Sequence, residues 1–235
     1  MLVSIIIPIY NEQQTAEKII RKVAGVVLKE ARKEIIVIDD CSTDDTPNIL
    51  KKIQHTFKFK LVKHKKNLGK GAAIRSGFKE SRGEILIIQD ADLEYDPKYY
   101  TQLLAPIISG KTKIVYGNRF ADYPLKLWGK DKTILPHHWL ANKLLTKVTN
   151  FLYGSSISDM ETGYKVFRGE VLEGITLHAN RFDIEVELTA KLLLKGYQIT
   201  EVPIKVNPRS HKEGKKISWR DGLVAAWVLF KYRFI

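Results

Sequence analysis

The sequence predicts an α/β domain with a mostly parallel sheet, helices on both faces and an amphipathic helix at its C-terminal end. Three observations carry that prediction. Apolar, β-branched runs of strand length alternate with segments of helical period through the first 120 residues, which is the pattern of βαβ units. No repeat, low-complexity linker or Pro/Gly-rich boundary divides the 235 residues, so one domain is expected. At 44% hydrophobic, the chain buries a sizeable core without disulfides or a structural metal.

Taken in order, Leu2–Ile9 reads as a buried strand and is followed by a helix through Ala16, Ile19, Ile20, Val23 and Val27. Glu34–Ile38 is the second strand, with Ser42 or Thr43 expected to cap a helix containing Ile49, Leu50 and Ile53. Phe57–Val62 alternates apolar and basic residues as a third strand. A helix over Gly71–Ser81 follows, with Gly83 as its expected C-cap. Glu84–Ile88 is the fourth strand. Asp96-Pro97 pairs an N-cap with a first-turn proline and opens a helix to about Ile108, before a fifth strand at Lys113–Tyr116.

The second half is less regular. It predicts a helix over 136–153, a strand at Tyr164–Phe167, a helix over Asp183–Leu194 ended by Gly196, and a strand at Gln198–Val206. A polar loop, Asn207–Lys216, then leads to the helix Trp219–Phe234.

Charge narrows the partners. Lys plus Arg number 39 against 26 Asp plus Glu, a net +13 that calls for an anionic partner. The excess is local: residues 1–110 carry only +4 and residues 154–200 carry −2, whereas 111–153 carry +6 and 201–235 carry +5. A single cysteine, Cys41, permits no internal disulfide, in keeping with a reducing compartment. It follows two acidic residues that oppose thiolate formation, so it is no expected nucleophile. Six histidines without zinc spacing predict no zinc site. The N-terminus lacks a signal-peptide pattern, and the apolar run Leu223–Phe230 is far short of the roughly 20 residues a membrane span needs.

Ligands of an open parallel sheet bind at the carboxyl ends of its strands. After the first strand come Tyr10, Asn11 and Glu12; after the second, Asp39 and Asp40. Asp90, Asp92 and Glu94 follow the fourth, and Gly117, Asn118 and Arg119 the fifth. Carboxylates gathered on one edge repel unless a cation offsets them, and oxygen-only ligands suit Mg²⁺ or Mn²⁺. Each piece alone reads equally well as helix capping; the convergence is the signal. Gly69-Lys70-Gly71 is neither a dinucleotide-binding fingerprint nor a P-loop. A glycine pair opening a helix serves either close approach to a ligand or tight packing.

These segments, Ile7-Pro8-Ile9-Tyr10-Asn11-Glu12, Val37-Ile38-Asp39-Asp40-Cys41-Ser42-Thr43-Asp44, Asn67-Leu68-Gly69-Lys70-Gly71-Ala72-Ala73 and Gln89-Asp90-Ala91-Asp92, resemble in order and spacing the family 2 glycosyltransferases of the GT-A, Rossmann-like fold. The dolichyl-phosphate mannose synthase and polyprenyl-phosphate glycosyltransferase branch is the nearest in pattern. The resemblance continues through Gly117–Phe120, Asp159–Arg168, Arg181–Glu185, Glu201–Ile204 and Asn207–Ser210 to Gly214–Lys216. It implies a single glycosyltransferase domain over 1–235, with 1–120 binding the nucleotide sugar and 121–235 facing acceptor and membrane. It also implies an inverting, metal-dependent transfer of mannose or glucose from a GDP- or UDP-sugar to a dolichyl or polyprenyl phosphate.

Residue by residue, the resemblance implies that Pro8, Tyr10, Glu12 and Asp39 hold base and ribose, with Asp40 and Lys70 supporting the donor. Asp90, Asp92 and Glu94 would hold Mg²⁺ or Mn²⁺, mainly through Asp92; Glu94 stands where some relatives carry Gln. Arg119, Arg209 and Lys216 would face phosphates of donor or acceptor. Asp92 and Arg119 would take part in catalysis, with Asp159 and Glu161.

A phosphate acceptor is already anionic and needs cationic positioning more than a base. A saccharide or protein hydroxyl, the alternative acceptor, needs a base, for which Asp159 and Glu161 are the candidates. Lys126, Lys130, Lys132, Lys143 and Lys147 interleave with Trp128, Trp139, Phe151 and Tyr153. Trp219, Trp227, Phe230, Lys231, Tyr232 and Arg233 repeat the mixture. That composition suits helices lying on an anionic bilayer, so a peripheral protein at the cytoplasmic membrane face is expected. A nucleic-acid-binding module ranks last, because the carboxylate edge would repel phosphates.

Overall fold

A computed structural model describes residues 1–121, 136–208 and 219–235. The strands are β1 (Leu2–Ile9), β2 (Arg32–Asp39), β3 (Lys60–Lys63), β4 (Ile85–Ile88), β5 (Ile114–Asn118), β6 (Lys165–Arg168) and β7 (Thr200–Pro203). The helices are α1 (Ala16–Gly25), α2 (Thr46–Phe57), α3 (Lys70–Glu80), α4 (Tyr100–Ile108), α5 (Pro136–Tyr153), α6 (Ile184–Leu194) and α7 (Trp219–Phe234). One seven-stranded sheet runs in the order β3-β2-β1-β4-β6-β5-β7. Strand β6 alone is antiparallel to its neighbours, pairing β4 on one side and β5 on the other. Strands β1–β5 and β7 therefore all end on one edge, and β6 begins there.

Alternation along β1 builds two cores. Ile5, Ile7 and Ile9 face one layer, with Ile19, Ile20 and Val23 of α1, Leu50 and Ile53 of α2, and Leu103, Leu104 and Ile107 of α4. Ile6, with Ile36 and Ile38 of β2, faces the other, against Ala73 and Ile74 of α3 and Ile184, Leu188 and Leu192 of α6. Helices α5 and α7 complete a third cluster with α6 around Leu145, Leu152, Val186, Val228 and Leu229. The Tyr153 hydroxyl donates to the Leu229 carbonyl at 2.7 Å, and the Tyr232 hydroxyl to Glu187 at 2.6 Å, fastening α7 to both partners.

Several sequence expectations shift. Phe57 closes α2, with Lys58 in the left-handed region (φ 49°), so β3 starts only at Lys60. Ser42 and Thr43 do not cap α2, which begins at Thr46. They bind Asn11 instead, the Ser42 hydroxyl accepting from its N–H (3.0 Å) and the Thr43 N–H donating to its Oδ1 (2.8 Å). Gly83 is not a C-cap either: α3 ends at Glu80, and a Cβ on Gly83 would collide with the Ser4 backbone of β1. Asp96 does cap its turn, its Oδ1 accepting from the Lys98 N–H at 3.0 Å, although α4 proper begins three residues after Pro97. Strand β7 is only four residues long.

Candidate active site

The carboxyl edge is assembled from three groups of loops. On the β1–β2 side, Asp39 is buried and its Oδ1 accepts from the Ser42 N–H at 3.0 Å. Pro8 lies in β1, and Tyr10 and Glu12 are half-buried just beyond it. The Glu12 Oε2 accepts from the Thr15 hydroxyl (2.7 Å), and its N–H donates to Thr46 (2.9 Å). Asp40 turns inward. Its Oδ1 meets His64 Nδ1 at 2.6 Å and the Leu68 N–H at 2.9 Å, and its Oδ2 accepts from the Gly69 N–H at 2.7 Å. Both oxygens are engaged in shaping the segment that leads into α3. The paired glycines serve packing. A Cβ at Gly69 (φ 93°) or Gly71 would strike the Ala179–Asn180 backbone, and the Gly71 and Ala72 N–H groups both donate to the Asn180 carbonyl.

The second group follows β4. Asp90 begins a turn in which Asp92 Oδ1 accepts from the Glu94 N–H at 3.0 Å and Leu93 adopts φ 66°. A bridge from Tyr95 to Val206 and the bond from the Asn207 N–H to the Glu94 carbonyl tie this turn to the chain after β7. Gly163 packs so closely that a Cβ there would overlap Asp90 Oδ2 and the Tyr95 ring. The Lys70 ammonium sits 2.7 Å from Asp90 and 2.7 Å from Glu185, and 5.8 Å above the Phe182 ring. Burial would lower this lysine, but the two carboxylates outweigh it and hold its pKa well above the usual range.

Asp90 thus already balances a cation, and the hard oxygen donors here suit Mg²⁺ or Mn²⁺. Asp90, Asp92 and Glu94 are not gathered into one cage, however. Among the described residues no three acidic, His or Cys side chains are placed to hold a metal between them. The arrangement fits an ion held by one or two carboxylates together with diphosphate oxygens, because Mg²⁺ seldom takes an all-protein cage.

The third group joins the end of β5 to the start of β6. Arg119 donates three times to Asp159: N–H to Oδ2 at 3.0 Å, Nε to Oδ2 at 2.7 Å and Nη2 to Oδ1 at 2.7 Å. Burial opposes the guanidinium charge, yet Asp159 outweighs it and holds the Arg119 pKa well above its ordinary value. Asp159 is 0% exposed. The Ser158 and Asp159 N–H groups donate to Glu201 Oε1 at 2.8 and 2.9 Å, so β7 fixes this loop from beneath. Asp159 thus turns both oxygens to Arg119 and neither to solvent.

Glu161 differs. It is half-buried, and among the described residues its carboxylate meets no hydrogen-bond partner. Burial, then the Glu185 charge, push its pKa up to about 7, against the pull of Arg119 and Lys165. Lys165 is fully buried and donates to the Met160 and Thr162 carbonyls, both at 2.8 Å, with its ammonium 4.2 Å above the Tyr116 ring. Burial lowers its pKa to about 8, with Glu185 and Asp159 partly offsetting.

The edge therefore brings together Lys70, Asp90 and Glu185, and separately Arg119, Asp159 and Glu201. Arg209 and Lys216, expected at the acceptor phosphate, lie outside the described residues, as do Lys126, Trp128, Lys130 and Lys132. Pattern reading assigned no role to Gln89, Lys165, Glu185 or Glu201. Gln89 and Lys165 did leave a signal, since each is a polar residue set against a run of strand-forming apolar ones.

The parallel sheet interrupted by one reversed strand, with acidic turns and basic side chains at its carboxyl edge, defines a GT-A-type enzyme architecture. Residues 4–176 match the family described as Glycosyl transferase family 2. The chain belongs to this family. It is 29% identical over 224 residues to a dolichol-phosphate mannosyltransferase of Pyrococcus furiosus, covering 92% of this chain and 59% of that protein. It is 28% identical over 225 residues to the low-salt glycan biosynthesis hexosyltransferase Agl6 of Haloferax volcanii, covering 93% and 51%. The chain thus spans little more than half the length of these relatives. Among solved structures, glucosyl-3-phosphoglycerate synthase from Mycobacterium tuberculosis with Mn²⁺, UDP and phosphoglyceric acid superposes with a TM-score of 0.73 at 19% identity. That superposition covers 99% of this chain and 78% of the other, a likeness of fold.

Proposed function

We propose that the protein transfers a hexose, mannose or glucose, from a GDP- or UDP-sugar to a dolichyl or polyprenyl phosphate with inversion at the anomeric carbon. The observation that carries this reading is the pairing at one sheet edge of an acidic turn, Asp90 to Glu94, with the cations Lys70 and Arg119. An acceptor phosphate oxygen attacks the anomeric carbon as the bond to the β-phosphate oxygen breaks, and the nucleoside diphosphate leaves with the electron pair. A divalent cation, when bound, offsets charge growing on that diphosphate. Pro8, Tyr10, Glu12 and Asp39 receive base and ribose, while Asp90 and Asp92 hold the ion and diphosphate with Glu94 at the rim of the turn. Lys70 supplies positive charge beside Asp90, and Arg119, preset by Asp159, orients a phosphate. The names of the Pyrococcus and Haloferax relatives support a hexosyl transfer, and the Pyrococcus name supports a dolichol-phosphate acceptor. The mycobacterial neighbour's Mn²⁺ and UDP support the cation and nucleotide.

A second reading has its own observation. Glu161, without a hydrogen-bond partner among the described residues and with its pKa pushed up to about 7 by burial, is suited to take a proton from a hydroxyl acceptor. The two readings separate in one assay. The purified chain with Mn²⁺ is offered each sugar nucleotide against a polyprenyl phosphate, a soluble phosphorylated acid and a free saccharide. Consumption of donor only with the polyprenyl phosphate supports the first. Turnover on the saccharide that Glu161→Gln abolishes supports the second, and no consumption with any acceptor removes both.

The membrane reading rests on α5 and α7. Among the described residues no helix is long and apolar enough to cross a membrane. Leu223, Trp227, Phe230 and Phe234 nevertheless line one exposed face of α7, and Leu140, Leu144 and Phe151 one of α5. Phe151 is 88% and Trp227 61% exposed, with Lys143, Lys147, Lys231 and Arg233 on the same two helices. This combination suits adsorption to an anionic bilayer surface. Co-sedimentation with vesicles containing anionic lipid should fall for Trp227→Asp, and binding unchanged from wild type would remove the reading.

A further inference from the structure

Gln89 is the last residue before the acidic turn, is 0% exposed, and uses every hydrogen-bonding position of its amide. Its Oε1 accepts from the Tyr100 hydroxyl at 2.7 Å and the Tyr164 hydroxyl at 2.8 Å. Its Nε2 donates to the Asp90 carbonyl at 2.9 Å and the Tyr95 carbonyl at 3.2 Å. Those two carbonyls bracket the segment that carries Asp90, Asp92 and Glu94. The segment includes Leu93 in the left-handed region (φ 66°), a conformation that a leucine disfavours by itself. One amide therefore staples both ends of a turn that local preference would not hold. The staple also reaches the neighbouring loop. The Tyr95 hydroxyl accepts from the Gly163 N–H at 2.8 Å, and the Tyr95 and Tyr164 rings meet edge to face at 4.9 Å.

We propose that Gln89 is a positioning residue: through the Asp90 and Tyr95 carbonyls it sets the turn in the form that receives a cation-bound diphosphate. Through Tyr164 and Tyr95 it keeps that turn in register with the Asp159–Gly163 loop. The assignment rests on the reading of Asp90 and Asp92 as the cation and diphosphate site. Gln89→Glu keeps the size and both tyrosine bonds but sets an oxygen against the two carbonyls. Tyr100→Phe removes a bond to the same amide oxygen while leaving the Nε2 bonds intact, so it serves as the control for lost stability alone.

Calorimetric titration of UDP and GDP, with and without Mn²⁺, reads the effect without turnover. Wild type and Tyr100→Phe should show the same Mn²⁺-dependent tightening of nucleotide binding. In Gln89→Glu that tightening should shrink at least tenfold while metal-free affinity changes less than twofold. Full tightening in a folded Gln89→Glu overturns the proposal, and so does an equal loss in Tyr100→Phe. Absence of any tightening in wild type overturns the cation reading and takes the positioning role with it. Should Gln89→Glu fail to fold, Gln89→Asn, whose amide is drawn back by one methylene, must show the same selective loss.

Discussion

Arg119 and Asp159 form the most directional contact of the site, and its removal has a calculable cost. In Asp159→Asn, an amide N–H replaces an oxygen that now receives guanidinium donors, so three bonds cannot all survive. Breaking a buried ion pair from one side costs about 3–5 kcal/mol, because the remaining charge is left without its partner. Asp159 is 0% exposed, but the Arg119 side chain keeps 18% of its surface in water, which places the loss near the lower figure, about 3 kcal/mol. With a urea slope of about 3 kcal/mol per M, the unfolding midpoint should fall by about 1 M. Arg119→Met should cost a similar amount. The double variant Arg119→Met/Asp159→Leu, which removes both charges together, should recover about 2 kcal/mol or more of the summed loss while turnover stays absent. Additivity of the two single losses to within about 0.5 kcal/mol would refute the coupling. An Asp159→Asn protein of wild-type stability that had lost all turnover would restore Asp159 as a base.

Three further outcomes follow from the same geometry. The Glu161 carboxyl, raised to about 7, binds its proton more tightly in the folded chain, so its contribution is complete below the unfolded value near 4.5 and is lost as pH rises through 7. Glu161→Gln should therefore raise Tm relative to wild type at pH 8 and leave it unchanged at pH 4; an equal shift at both pH values contradicts the assignment. Gly163→Ala forces a methyl group into Asp90 and Tyr95, and should cost about 1–3 kcal/mol in denaturant unfolding and weaken nucleotide binding in Mn²⁺; wild-type behaviour in both would show that the contact relaxes freely. Tyr232→Phe deletes the hydroxyl that binds Glu187 at 2.6 Å, and should cost about 1.5–3 kcal/mol and expose α7 to limited proteolysis; unchanged cleavage would place the hold on α7 elsewhere.

The sheet was readable because period and burial agree. Ile5, Ile6, Ile7 and Ile9, and Ile35 to Ile38, are β-branched residues in runs too short for helices, and they lie in interior strands of the sheet. The reversal of β6 left no such mark, since strand direction is set by where the chain re-enters the sheet and not by residue type. The acidic ends of β2 and β4 were legible for the same reason as the strands: carboxylates directly after apolar runs can only lie at the edge. Their partners were not. Lys70 reaches Glu185 across 115 positions and Asp159 reaches Glu201 across 42, contacts that only the folded topology creates. The capping roles given to Ser42, Thr43 and Gly83 failed in a similar way, because each found a tertiary partner better than the local helix end.

The chain leaves the sheet at Arg119 and returns to the same edge at Asp159, 40 positions later, where a single guanidinium–carboxylate fork joins the two points. Between them the clasp shares the chain with α5, which is seated on α6 and α7 through Leu145 and Leu152. Closure entropy grows only with the logarithm of loop length, so doubling such an excursion would cost about 0.6 kcal/mol. A change in its length would therefore load the clasp little, as long as α5 keeps its seat against α6 and α7. An engineer could lengthen the excursion ahead of α5 while keeping α5, Arg119, Asp159 and the acidic turn where they stand.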